Sequence, residues 1–185
     1  MTAQAEDARS SSITRSFRFE SDVLNVLDEE ATRMGISVNA LVGIILRRYA
    51  EFTRYLAKID MVVINREVLT SLLDQLDEEE LYKIGVKLGQ TVLADTIMFW
   101  KKETTEKVVM EYLEKMVCRY GQLGTYDERR MPGGDMAIVI RHRLGKNGSR
   151  FLEGYLQGGL KHTLDIAAIF EVTDSSVKCQ IPARR

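Results

Sequence analysis

The stretch MGISVNALV, residues 34–42, decides how the beginning of the chain folds. Glycine readily adopts the left-handed backbone conformation that ends many helices, so Gly35 is expected to stop a helix that precedes it. Two residues later, Ser37 carries a hydroxyl that can cap the start of another helix. The stretch therefore predicts two helices joined by a very short turn.

Hydrophobic periodicity on either side of the turn supports both helices. Apolar residues recur at helical spacing from Val23 to Met34 and again from Val38 to about Tyr55. Ahead of them, residues 13–19 alternate, with Phe17 and Phe19 on the side that favours burial. The alternation predicts a short strand whose outward side chains are Thr14, Ser16 and Arg18.

One short strand and two helices cannot bury this much apolar surface alone, and a lone strand needs a partner edge. A second copy of the chain would meet both needs, by pairing strand with strand and interlocking the helices. We therefore predict a β-α-α domain over residues 13–57 that forms an intertwined homodimer. Residues 1–12 are small and polar, and are predicted to form a disordered arm.

These features resemble the ribbon-helix-helix family, to which the Arc and methionine repressors and the CopG-type regulators belong. The resemblance covers residues 13–54 and rests on the stretches TRSFRFESD, VLNVLDEEATRMG and ISVNALVGIILRRYAEF. It implies that paired strands of a dimer enter the major groove as a β-ribbon and read a palindromic operator. The implied base-reading residues are Thr14, Ser16 and Arg18, and the implied phosphate-contacting residues are Ser37, Val38 and Asn39.

The residue types at these positions suit the implied role. Arginine can donate to O6 and N7 of guanine at once, and hydroxyls can donate or accept. A helix start offers backbone N–H groups and the positive end of the helix dipole to a phosphate. Arg15 departs from the pattern, because in the predicted strand it shares a face with Phe17 and Phe19, where an apolar residue is expected.

Residues 58–185 are predicted to form an α+β domain with an antiparallel sheet. Asn65, Asp77 and either Thr104 or Thr105 are placed to cap helices. Strand patterns occur at residues 124–129, 136–143, 167–173 and 176–181, and a helix is expected from Arg150 to about Leu164. Residues 61–64 are a short apolar run that is compatible with a strand, and residues 145–149 are expected to be a loop.

The last part of the chain is similar to the 4-vinyl-reductase-like small-molecule-binding domains. The similar stretches are IVIRHRLGKNGSRFLEGYLQGGLKHTL, residues 138–164, and IFEVTDSSVKCQI, residues 169–181. Cys179 matches the family's late cysteine, whereas the first of its paired cysteines is missing and the hairpin is shorter. The similarity implies a ligand-binding or dimerisation domain.

Candidate pocket residues of that domain are aromatic and methionine side chains. Such side chains at helical spacing are also typical of an ordinary hydrophobic core. The candidates are Trp100, Tyr112, Met116, Phe151 and Tyr155.

Enzyme and metal patterns are missing from the sequence. The cysteines, Cys118 and Cys179, and the histidines, His142 and His162, are too few for a zinc site of their own. There is no Gly-x-Ser-x-Gly or His-Glu-x-x-His motif. We expect no catalytic residue, no metal and no cofactor, and leave open an unidentified small-molecule effector.

Charge and hydropathy restrict the function further. The net charge of −1 argues against a broadly basic nucleic-acid-binding surface, but not against a local basic face. The sequence has no run of 18 apolar residues, and its polar beginning is unlike a secretory signal. We therefore expect a cytoplasmic protein with no membrane partner.

The resulting hypothesis is a sequence-specific transcriptional regulator that binds double-stranded DNA as a homodimer. It becomes a tetramer if the C-terminal domain, which senses an effector or mediates oligomerisation, adds a second interface. One alternative is an antitoxin-like interaction protein that uses the same dimer module and holds a partner with its C-terminal segment. Another is a ligand-binding sensor for which DNA is secondary.

Overall fold

The turn between the first two helices lies at the predicted capping residues. In the computed structural model, which describes residues 13–183, α1 spans Ser21–Met34 and α2 spans Val38–Arg48. Gly35 ends α1 in the left-handed conformation, with φ of 66°. The Ser37 hydroxyl oxygen accepts a hydrogen bond from the backbone N–H of Ala40 at 3.2 Å. Both helix boundaries predicted at this turn are confirmed.

The predicted N-terminal strand is not formed, and this corrects the expected fold. Residues 13–20 have no regular secondary structure and are exposed, and every strand within the described residues lies between positions 124 and 181. The β-α-α, ribbon-helix-helix assignment is therefore wrong for this chain. A strand is held by hydrogen bonds to a neighbouring edge, and none of the described sheet pairings involves residues 13–19. The predicted arm at residues 1–12 lies outside the described residues.

The described chain divides into two compact units, residues 13–47 and 48–183. The first unit contains α1 and most of α2, and its buried apolar side chains are Ala31 and Leu41. The second unit contains the large hydrophobic core, which the remaining helices and the sheet share.

The second unit begins with a chain of helices. Its α-helices are α3 (Arg54–Leu56), α4 (Arg66–Leu73), α5 (Glu78–Leu88), α6 (Ala94–Lys101), α7 (Glu106–Glu111) and α8 (Gly145–Leu164), with π-helical segments at Tyr49–Thr53, Gly89–Leu93 and Tyr112–Tyr120. Asn65, Asp77 and Thr105 each accept a backbone N–H at a helix start, and Asp77 forms a reciprocal capping box with Glu80. These three predicted caps are confirmed.

Two local expectations in this unit are wrong. Residues 61–64 form no strand, and residues 145–149 are the first turn of α8 instead of a loop. The glycine at position 148 serves close packing, because a Cβ there would collide with the Leu144 side chain. Ser149 next to it is fully buried. Gly148 therefore serves close packing at the start of α8, which a local sequence pattern does not distinguish from a turn.

The sheet has four antiparallel strands in the order β1-β2-β4-β3. They span Gly124–Arg130 (β1), Met136–His142 (β2), Ile169–Thr173 (β3) and Ser176–Ile181 (β4). In the central pair, Ile138 lies opposite Cys179 and Ile140 lies opposite Val177, and all four side chains are fully buried. The helix α8 packs against β3 and β4, so the α+β architecture with an antiparallel sheet is confirmed for this part of the chain.

The helices α5 and α8 cross with their backbones in contact. A Cβ added at Gly85 would collide with the carbonyl oxygen of Phe151, and one added at Gly158 would collide with that of Val86. Gly154 is equally close to the carbonyl oxygen of Tyr82. We call this contact the glycine crossing. It holds α8 close to α5, while α8 also packs against the sheet, so the helices and the sheet share one hydrophobic core.

Candidate functional site

The predicted base-reading residues lie on the segment that leads into α1. Thr14, Ser16 and Arg18 are all exposed. The alternate residues Phe17 and Phe19 are 63% and 44% exposed, with ring centroids 6.5 Å apart. Both sides of the predicted alternation are therefore open to solvent in the single chain. Whether Thr14, Ser16 and Arg18 contact bases stays a prediction.

The predicted phosphate site lies at the start of α2. Ser37 and Asn39 are exposed and Val38 is half-buried. The first N–H groups of a helix have no carbonyl partner within the helix, and the Ser37 hydroxyl takes the N–H of Ala40. The first turn contains no acidic residue, so no carboxylate competes there with an incoming anion. The geometry is compatible with a phosphate contact.

An extensive apolar surface covers the unit formed by residues 13–47. Its buried apolar residues are Ala31 and Leu41, whereas many larger side chains are between 38% and 72% exposed. A surface of this kind on a small unit is typical of an interface with another chain. The exposed residues are Ile13, Phe17, Phe19, Val23, Leu24, Val26, Met34, Ile44, Ile45 and Leu46.

The predicted ligand-pocket residues lie in or against the core of the second unit. Tyr112 and Met116 are buried, while Trp100, Phe151 and Tyr155 are partly buried against the same core. The hydroxyl oxygens of Tyr112 and Tyr155 are 3.0 Å apart, and burial raises the pKa of both, so both hydroxyls stay protonated. The two tyrosine hydroxyls are hydrogen-bonded to each other, and a ligand at this position stays a prediction.

His142 and Ser149 form a buried polar pair between β2 and α8. The backbone N–H of Leu144 donates to His142 Nδ1 at 3.2 Å, and His142 Nε2 lies 3.0 Å from the Ser149 hydroxyl. Because Nδ1 accepts, the neutral ring carries its proton on Nε2 and donates it to Ser149. Nε2 is then unable to take a proton from the serine, as a nucleophilic pair would require. The pair has a structural role.

A cleft of about 870 Å³ in the second unit was not foreseen from the sequence. Its walls come from Arg48 and Phe52, from residues 61–67, and from residues 120–123 and 143–144. Three arginines, Arg48, Arg66 and Arg143, line it. They are far apart in the sequence, so no local motif could have indicated that they share a cavity.

Two of these arginines are held by the same turn of the chain. Arg48 Nη2 donates to the carbonyl oxygen of Tyr120 at 3.2 Å, and Arg66 Nη2 donates to that of Gln122 at 2.7 Å. Arg48 also lies over the Phe52 ring, 5.8 Å from its centroid. Each guanidinium keeps further N–H groups for another acceptor.

The thiols and carboxylates give no sign of reactive or metal chemistry. Burial raises the pKa of both Cys118 and Cys179 to about 12, so neither is a thiolate near neutral pH. Residues 13–183 contain no cluster of three or more His, Cys, Asp or Glu side chains that could hold a metal ion. Within the same range, no helix has both the length and the apolar character needed to cross a membrane.

Comparisons with known proteins add no assignment to this geometry. No protein-family model matches the chain, and the search of curated proteins gave no match.

Proposed function

We propose that this chain is a sequence-specific DNA-binding regulator that acts as a homodimer. In this proposal, residues 13–47 contact DNA and residues 48–183 sense a small molecule or add oligomer contacts. The observation that carries it is the first unit itself: an exposed apolar surface lies beside exposed hydroxyl and arginine side chains.

A second copy of the chain is the partner that the apolar surface favours. Ten large apolar residues of the first unit are exposed, on the leading segment and on both helices. Burying such side chains contributes about 25 cal/mol per Å² of apolar area, which is ample for a stable dimer if most of them are covered. Self-association also gives a two-fold symmetric protein, which suits a palindromic operator.

The polar side chains of the first unit supply the DNA contacts. Arg18 is the residue for guanine, with Thr14 and Ser16 beside it on the same segment, and α2 offers its N–H groups at Ser37, Val38 and Asn39 to a phosphate. The chain's net charge of −1 does not exclude DNA binding, because binding depends on local basic groups and each subunit of a dimer supplies its own. Such a regulator works where the DNA is, so the proposal includes a cytoplasmic location.

The folded second unit favours a regulator over an antitoxin-like protein. Antitoxins of this kind hold their partner with a short, partly disordered C-terminal tail. Here residues 48–183 contain a buried core and a four-stranded sheet. A structured unit of this size suits effector sensing or oligomerisation.

The test is selection of binding sites from random DNA with the wild-type chain and the Arg18→Ala variant. We expect an inverted repeat for the wild type, and for the variant a loss of about 1–3 kcal/mol in binding free energy with blurred base preference. Arg33→Ala is the matched control, because Arg33 is also exposed but pairs with Glu30 on α1. Equal operator affinity of wild type and Arg18→Ala would refute the reading role of Arg18, and absence of any enriched site would refute the proposed function.

A further inference from the structure

The arginine-lined cleft of the second unit has the chemistry of a binding site. Its volume of about 870 Å³ lies within the range of small-molecule sites, roughly 300–1,000 Å³. The cleft differs from the predicted pocket, since none of Trp100, Tyr112, Met116, Phe151 or Tyr155 lines it.

The charge of the lining is unbalanced. Among the described residues that line the cleft, three are arginines and Glu67 is the acidic one. Arg48, Arg66 and Arg143 form no ion pair with any residue in the described part of the chain. Elsewhere on this unit, arginines such as Arg119, Arg130 and Arg150 do pair with carboxylates. The contrast shows that positive charge exceeds negative charge in this cleft, because Glu67 forms no ion pair with any of the three arginines.

Apolar side chains form part of the remaining lining, beside polar residues such as Asn65, Thr70 and Gln122. Phe52 and Leu144 form a buried part of the wall, at 4% and 2% exposure. Val62 and Val63 lie at the other extreme, at 82% and 93% exposure, although they also line the cleft. A ligand with an apolar body would cover these two valines, which the chain itself leaves in solvent.

We propose that this cleft binds a small organic anion, in which an oxyanion head is carried on an apolar body. The head, a carboxylate or a phosphate ester, pairs with Arg143 and with the remaining N–H groups of Arg66 and Arg48. Guanidinium groups recognise both kinds of oxyanion through paired N–H donors. The apolar body packs against Phe52, Leu144 and the two valines. This inference rests on the cleft alone and does not depend on DNA binding.

The test is calorimetric titration of the full chain with three probes that share one ring system: naphthoate, naphthyl phosphate and naphthylmethanol. We expect at least one of the two anions to bind saturably at a single site per chain, at least about tenfold more tightly than the uncharged alcohol. Arg143→Gln should weaken that binding about tenfold or more, and Arg66→Gln should weaken it as well.

The control is Arg129→Gln, which removes the same charge from an exposed position on β1 outside the cleft. It should bind the anion like the wild type. Three results would each overturn the proposal: no saturable binding of either anion, equal binding of the alcohol, or equal weakening in Arg129→Gln. Circular dichroism of each variant establishes that the fold is retained, and Arg143 is well suited because its side chain has no hydrogen bond or ion pair with residues 13–183.

Discussion

The imidazole of His142 occupies a site that favours its neutral form. It is 5% exposed, accepts the N–H of Leu144 on one nitrogen and meets Ser149 on the other. Burial lowers the pKa of His142 below its ordinary value of 6.5. Protonation would put a proton on Nδ1, where a backbone N–H already points, so acid should weaken this contact between β2 and α8.

His142 should therefore contribute to a decrease in the free energy of unfolding as the pH is lowered below about 6.5. Between the folded and unfolded pKa values the unfolded chain binds a proton that the folded chain does not, so unfolding is favoured as the pH falls through that window. The contribution is fully present above 6.5. Urea unfolding at pH 7.5 and at lower pH values measures it.

The variant His142→Gln should lose about 1–3 kcal/mol at pH 7.5, because Ser149 is left with an imperfect partner, and should lose pH sensitivity. His162→Gln is the control, since His162 is exposed on α8. An undiminished pH dependence in His142→Gln would assign the effect to other groups.

At the scale of elements, the glycine crossing decides how α5 and α8 pack. Gly154 and Gly158 on α8 face the carbonyl oxygens of Tyr82 and Val86, and Gly89 faces that of Tyr155. Helix backbones this close leave no room for a methyl group and allow Cα–H to carbonyl contacts. The alignment of the two helices depends on these residues, because larger residues would separate them.

Gly158→Ala should destabilise the protein by roughly 3 kcal/mol or more, since its new methyl group would press on the Val86 backbone. Gly159→Ala is a matched control on the next residue. Its methyl group would meet the tip of the Leu93 side chain at 2.6 Å, which can shift, so the loss should be smaller. Chemical denaturation of both variants tests the order, and equal losses would contradict the crossing as the cause.

Helix caps and strands of the second unit could be predicted from the sequence, because their signals are local. Asp77 and Thr105 mark helix starts through their own hydrogen bonds, and β4 alternates along its length. Features that depend on distant partners could not. The N-terminal segment alternates like a strand, but no strand among the described residues pairs with it. Gly154 and Gly158 are explained only by the backbone of α5, which lies about 70 residues earlier in the chain. The arginine cleft was missed for the same reason.

At the scale of the whole molecule, the exposed apolar surface of residues 13–47 predicts self-association. Sedimentation at micromolar concentration should show a dimer, or a tetramer if the second unit adds an interface. Ile44→Glu, at a position 52% exposed on α2, should raise the dissociation constant at least ~100-fold, because a charge would be buried against the partner.

The matched control is Ile169→Glu on β3, which is 67% exposed in the other unit. It should leave the dimer intact. A monomeric wild-type chain at these concentrations would contradict the proposed homodimer. Equal dissociation of the dimer by both variants would contradict an interface formed by residues 13–47.

The glycine crossing also bears on how far this protein can diverge. Gly85 and Gly89 are four residues apart on one side of the contact, and Gly154 and Gly158 repeat that interval on the other. Surface residues can change freely, whereas these four positions tolerate almost no substitution as long as the two helices stay in contact. A distant descendant of this fold should therefore be recognisable by two glycine pairs of equal spacing, one shortly before α6 and one within α8, even after other sequence similarity has been lost.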